Sequence, residues 1–200
     1  MRSRVEEVES LVARVGAHPV WGYAHCQRVH ELAKALAEDE RMTYDPEILH
    51  ISALLHDIGL YKAYNLREAP DHAQRSATVA ERILRDLDFP LEATRMVADA
   101  VVHHPPGASH GRTREAALLK DAVALDYLGA IGVGRVLAMI GLEEEVPDLP
   151  AAVSHAESLH RSIPGFLIFE SSAHIARERA VQTNSFLDDL KSATANLELL

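Results

Sequence analysis

Leu54-Leu55-His56-Asp57-Ile58-Gly59 closes an apolar run that begins at Ile48, and it places a histidine and an aspartate side by side. Imidazole and carboxylate are good ligands for a divalent metal, and a metal in an open site activates water at neutral pH. Ile48, Ile51, Leu54, Leu55 and Ile58 recur at helical spacing, which predicts a largely buried helix over Glu47–Asp57. Asp45-Pro46 supplies its N-cap and first turn. Such a helix, ending at Gly59, delivers two ligands to the floor of a cleft. A lone histidine upstream, His25, is a natural partner.

Helical periodicity extends in both directions from this run. Val5, Val8, Leu11, Val12 and Val15 predict a first helix ended by Gly16, and Val29, Leu32, Ala33 and Leu36 a second from Trp21 to Asp39. Beyond a loop over Gly59–Pro70, Asp71 reads as the N-cap of a fourth helix. Pro90 opens a fifth, stopped by Pro105-Pro106. Gly107–Arg114 reads as a polar loop over the site, Glu115–Gly141 as one long apolar helix or a pair, and Glu143–Pro150 as a surface connection. The remainder is helical with a break at Pro164-Gly165. No segment alternates as a strand does. The expectation is an all-α protein, a single multi-helix domain over 1–200. Its core spans about 18–141, and C-terminal helices over about 151–197 pack on it.

Composition narrows the function. Lys+Arg 20 against Asp+Glu 30 gives a net charge of −10, which argues against nucleic acid or an anionic membrane as partner. The apolar runs are too short for a transmembrane helix, and the N-terminus lacks the apolar core of a signal peptide. A single cysteine, Cys26, excludes an intrachain disulfide and fits a cytoplasmic location. Its expected role is a small buried thiol. Twelve histidines in 200 residues is the compositional excess.

In chain order the candidate ligands are His25, His56, Asp57, His72, His103 or His104, and Asp121 or Asp126. Apart from the His-Asp pair each comes from a different helix, which is how all-α proteins assemble metal sites. His103 and His104 diverge by about 100° on a helix, so both serve one site only if the helix loosens before Pro105. Arg28 shares a helical face with His25, and a guanidinium beside a metal suits a phosphate oxygen. Lys62, beside Tyr61, is either a second phosphate contact or a solvated loop residue. His18, His30, His50, His110, His155, His160 and His174 read as structural or solvated, and Trp21 as core or rim.

Together these segments resemble a known family. His25 with Arg28-Val29, Leu55-His56-Asp57-Ile58-Gly59, and Asp71-His72-Ala73-Gln74-Arg75-Ser76-Ala77 are similar to the motifs of the HD superfamily of metal-dependent phosphohydrolases. Leu119 to Arg135 resembles that family's later aspartate motif with its glycine-rich continuation, and Ala173–Arg179 its C-terminal helix in small bacterial members. The resemblance covers about 18–190. It departs at one place. The later motif usually reads Asp-Ala-Asp-x-Leu-Asp, its middle aspartate binding metal, and here that position is Val123. Asp126, about 60° away on the helical wheel, is the better substitute; Asp121, about 160° away, is the alternative.

The resemblance implies hydrolysis of a phosphate ester or anhydride in a nucleotide or other small phosphorylated metabolite. His25, His56, Asp57 and Asp126 would hold a Mn, Fe, Ni, Co or Zn ion, while His72 and His103 or His104 hold a second ion or touch phosphate. Arg28 and Lys62 would contact the phosphoryl group. A homodimer is compatible with this reading. Two rivals share the fold: a di-iron oxygenase of the myo-inositol oxygenase type, and a metal- or nucleotide-binding module whose turnover Val123 has weakened.

Overall fold

A computed structural model describes residues 3–64 and 71–199. Among these the regular structure is nine α-helices and three short 3-10 turns, with no strand, as an all-α chain requires. No helix among the described residues is long and apolar enough to cross a membrane. The chain forms two compact units, 1–123 and 124–200.

The first unit holds α1 (Arg4–Val15), α2 (Tyr23–Asp39), α3 (Pro46–Leu55), α4 (His72–Asp86), α5 (Leu91–His103) and all but the end of α6 (Arg114–Leu125). Its centre is α3, which packs on α1, α2, α4 and α5. A helix apolar on every side has to be enclosed, and Ile48, Leu49, Ile51, Ser52, Ala53, Leu54 and Leu55 are all buried. The Asp45 carboxylate accepts the N–H groups of Glu47 and Ile48 at 2.9 and 3.2 Å, and Pro46 fills the first turn.

The sequence predicts α3 through Asp57, yet it ends two residues sooner. His56 keeps helical angles as the C-cap, while Asp57 sits at φ −108°, ψ 10° and leads into the 3-10 turn Ile58–Leu60. Close approach of this turn to α4 explains the early exit. The Gly59 N–H donates to Ser76 Oγ at 3.0 Å, and a Cβ on Gly59 would lie 2.7 Å from the Ser76 nitrogen and 2.9 Å from Arg75 Cβ. A second 3-10 turn, Lys62–Tyr64, follows where a loop was expected; the rest of that loop, 65–70, lies outside the described residues. At the start of α4 the Asp71 carboxylate accepts the Gln74 N–H at 2.7 Å, as an N-cap should.

On the surface of α2 and α3, two histidines expected to be structural or solvated pair up. His30 and His50 stack with ring centroids 4.1 Å apart and planes 3° from parallel. Burial lowers His30 to about 4, helped by His50 and Lys34 and opposed by Glu31 and Glu9. Burial lowers His50 as well.

The second unit contains α7 (Gly129–Leu137), α8 (Leu149–Ser162) and α9 (Glu170–Ala193), with α7 packed on both others. The helical stretch expected over Glu115–Gly141 is a pair, broken at Asp126–Leu128. The glycines make that break. Gly129 has φ +73°, and a Cβ on Gly132 would lie 2.2 Å from the Tyr127 carbonyl oxygen. Arg135 pairs with the buried Asp126 carboxylate at 3.1 Å. The guanidinium also lies over the Tyr127 ring, 4.2 Å from its centroid.

Gly59→Ala should destabilise the chain by about 1–3 kcal/mol through overpacking against α4. Gly107→Ala, whose Cβ would meet nothing within 4 Å, should leave the thermal melting temperature unchanged. Equal melting of the two variants would refute the close-approach account. The stacked histidines predict a pH effect. A histidine whose folded pKa lies below its unfolded value stabilises fully above the unfolded value, and that contribution is lost as pH falls toward the folded one. With chelator present, melting temperature should therefore drop between pH 6.5 and about 4. The drop should be smaller in His30→Phe, which keeps an aromatic stack but cannot titrate.

Candidate metal centre

The histidines that end α3 and α5 are held in the same way. His56 Nδ1 lies 2.8 Å from the Ala53 carbonyl oxygen, and His104 Nδ1 lies 2.6 Å from that of Val101, each three residues back. Carbonyls in the last turn of a helix have no partner within the helix, so these rings satisfy them. A carbonyl only accepts, so the proton is on Nδ1 and each neutral ring carries its lone pair on Nε2. Burial keeps His104 below its ordinary pKa against the opposing pull of Asp57, which favours that neutral state.

Both Nε2 atoms face other donors. His56 Nε2 is 3.1 Å from His25 Nε2, and His104 Nε2 is 3.2 Å from His72 Nε2. Asp57 lies between the two pairs. Its Oδ2 is 3.2 Å from His56 Nε2 and 3.6 Å from His25 Nε2, while Oδ1 is 3.6 Å from His104 Nε2. Burial raises the Asp57 carboxyl; protonated His56 and His104 beside it would hold it well below the usual carboxylate range, and with both rings neutral that positive charge has to come from a cation. Two triads of donors result, His25–His56–Asp57 and Asp57–His72–His104, with the atoms of each within 4.8 Å of one another.

The donor set fits a cation. His25, His56, Asp57 and His104 are 2%, 0%, 5% and 2% exposed, so water reaches them little. The bare nitrogens of His56 and His104 face an anionic oxygen and further imidazole nitrogens in this dry interior. Converging lone pairs repel unless a positive charge lies among them. The Nδ1–carbonyl bonds are also the outer contacts that orient metal-binding histidines.

The remaining sequence candidates fall elsewhere. His103, one residue before His104, bonds the Asp99 carbonyl through Nδ1 at 2.8 Å. It lines a groove of about 460 Å³ between α4 and α5 with Gln74, Thr78, Met96 and Asp99. Arg28 donates to the Ala24 carbonyl and lines a cleft with Glu9, Gln27, His30 and His50, and Lys62 is exposed on its 3-10 turn. Asp121 is fully buried on α6, and Asp126 pairs with Arg135 in the second unit. Val123 is buried. Cys26 is a buried thiol 3.6 Å from both the Leu54 carbonyl and the Tyr61 hydroxyl. His18 lies before α2, where burial lowers its pKa against the opposing pull of the Asp57 carboxylate.

No curated protein matches the chain by sequence. Solved structures share its fold. A Lactobacillus plantarum protein superposes with TM-score 0.76 at 20% identity, covering 98% of each chain. Bacillus subtilis YpgQ, solved in complex with ADP, gives 0.69 at 21% identity, covering 94% of this chain and 97% of its own. An HD-superfamily hydrolase from Bacillus thuringiensis gives 0.69 at 23% identity, covering 96% and 97%. The HD domain family model matches residues 22–128, more than half of the chain and every residue of both donor triads. The chain belongs to the HD domain family.

Proposed function

We propose that this chain is a metal-dependent phosphohydrolase acting on a nucleotide or another small phosphorylated metabolite. The observation that carries the reading is the buried Asp57 carboxylate shared by two pairs of histidine nitrogens. His25, His56 and Asp57 would hold one divalent ion, and Asp57, His72 and His104 offer ligands for a second. Nitrogen and oxygen donors together suit Mn, Fe, Ni, Co or Zn. Such an ion, when bound, lowers the pKa of a coordinated water and polarises a phosphoryl oxygen.

The protein's own groups do the rest. The carbonyls of Ala53 and Val101 keep the His56 and His104 lone pairs aimed at Asp57. Arg28 and Lys62 are proposed as the cations that meet the phosphoryl group. Asp126 is proposed as a further ligand in place of Val123, with Asp121 as the alternative; to bind metal, Asp126 has to give up part of its pairing with Arg135. The net charge of −10 favours a small substrate over nucleic acid, and a nucleotide is supported by the ADP held in the YpgQ structure.

The shared carboxylate also favours a second reading, since a dinuclear centre is what a di-iron oxygenase requires. Two irons per chain with oxygen consumption on a polyol would select it. Metal bound without turnover across nucleotides and sugar phosphates would select a binding module, and a gain of activity in Val123→Asp would support the same view.

Metal analysis and a phosphate-ester panel test the proposal. Chain loaded with Mn²⁺ should hydrolyse at least one nucleotide, and His56→Ala and Asp57→Ala should lose both metal and activity, the latter by about 100-fold or more. Full activity without these ligands would sink it. For the further ligand, Asp126→Asn should release metal more readily than Asp121→Asn; the reverse order would move the assignment to Asp121.

A further inference from the structure

The segment between α1 and α2, residues 16–22, is built more tightly than a connection needs. The Tyr23 N–H donates to the Gly16 carbonyl at 2.8 Å, closing the segment on itself. A Cβ on Gly22 would lie 2.2 Å from the His18 carbonyl oxygen, and one on Gly16 would lie 3.1 Å from Tyr61 Cε2. The Trp21 carbonyl accepts the Tyr61 hydroxyl at 2.9 Å, and Tyr61 directly follows the 3-10 turn that begins after Asp57. The segment is therefore tied to the strand of chain carrying Asp57, and it runs straight into α2, which carries His25.

This frame presents one side chain in a single orientation. The His18 ring lies flat on Trp21, with centroids 4.1 Å apart and planes 5° from parallel. The Val20 N–H donates to His18 Nδ1 at 3.2 Å, so the ring proton is on Nε2. Nε2–H, on the opposite edge of the ring, then has no hydrogen-bond partner among the described residues. The ring is half-buried and within electrostatic reach of Asp57.

We infer that His18 is a substrate-contacting residue, donating Nε2–H to an oxygen of a phosphoryl group held at the Asp57 cluster, with Trp21 and Val20 fixing the ring for that contact. The inference rests on the phosphohydrolase reading for its ligand. A neutral, pre-oriented N–H adds a hydrogen bond to a charged oxygen without adding charge, which complements the cations already offered. Sequence position alone assigned His18 a structural or solvated role, so the two ring nitrogens have to be tested separately.

Three variants do this. Gln places an amide N–H near the Nε2 position, Asn places an acceptor near Nδ1, and Phe keeps the stack but offers neither. Each Zn²⁺-loaded protein is titrated with inorganic phosphate by calorimetry, and metal content and melting temperature are measured alongside. His18→Phe and His18→Asn should weaken phosphate binding by about tenfold, the worth of one hydrogen bond to a charged oxygen, while His18→Gln binds close to wild type. Metal content should not change. Rescue by Asn and not by Gln would show a brace for Val20 and overturn the inference, as would undiminished binding in His18→Phe or no phosphate binding by the wild type. In the unmutated protein, ¹⁵N-histidine NMR reads the same contact: the His18 Nε2–H resonance shifts on adding phosphate, and an unmoved resonance overturns the inference. Phosphate binding with this pattern but no ester hydrolysis would reject the phosphohydrolase reading and leave the His18 contact standing.

Discussion

Two short hydrogen bonds, from His56 Nδ1 to the Ala53 carbonyl and from His104 Nδ1 to the Val101 carbonyl, govern the chemistry of the first unit. Each satisfies a carbonyl that the end of a helix leaves open and in doing so decides which ring nitrogen stays bare. The same bond is thus a cap and a tautomer lock. Without it, either nitrogen could carry the proton and the donors would not converge. With it, the ends of α3 and α5 present Nε2 to one buried carboxylate.

That convergence depends on backbone contacts no side chain could replace. The turn after Asp57 lies against α4 so closely that only glycine fits at position 59, and this contact draws the chain out of the α3 axis. The segment before α2 is compressed to a similar degree around Gly16 and Gly22. Glycine at 59 and at 22 therefore marks where backbone is pressed against backbone near the clustered histidines and Asp57. The remaining apolar residues enclose α3 and exclude the water that would screen the cluster.

Much of this was legible in the residues. Helical spacing located the segments, and Asp45 and Asp71 marked helix starts that the structure shows as N-caps. The order of histidines and aspartates named the donors that cluster. Less was legible where direction rather than spacing decides. His103 and His104 are equivalent as letters, and only the packing of α5 sends one to the Asp99 carbonyl and the other to Asp57. His30 with His50, and His18 with Trp21, have no sequence signature because stacking joins rings from packed helices or around a tight segment.

The sequence by itself determined that the chain is all-α and that His25, His56, Asp57 and His72 belong to one chemical constellation. Periodicity and ligand type are local properties, read without knowing how helices meet. Only the tertiary structure decided that Asp57 is shared between two histidine pairs, that His104 joins it in place of His103, and that each imidazole of those helix ends presents Nε2. These depend on distances of about one hydrogen bond between groups far apart in the chain, and such distances are set by packing.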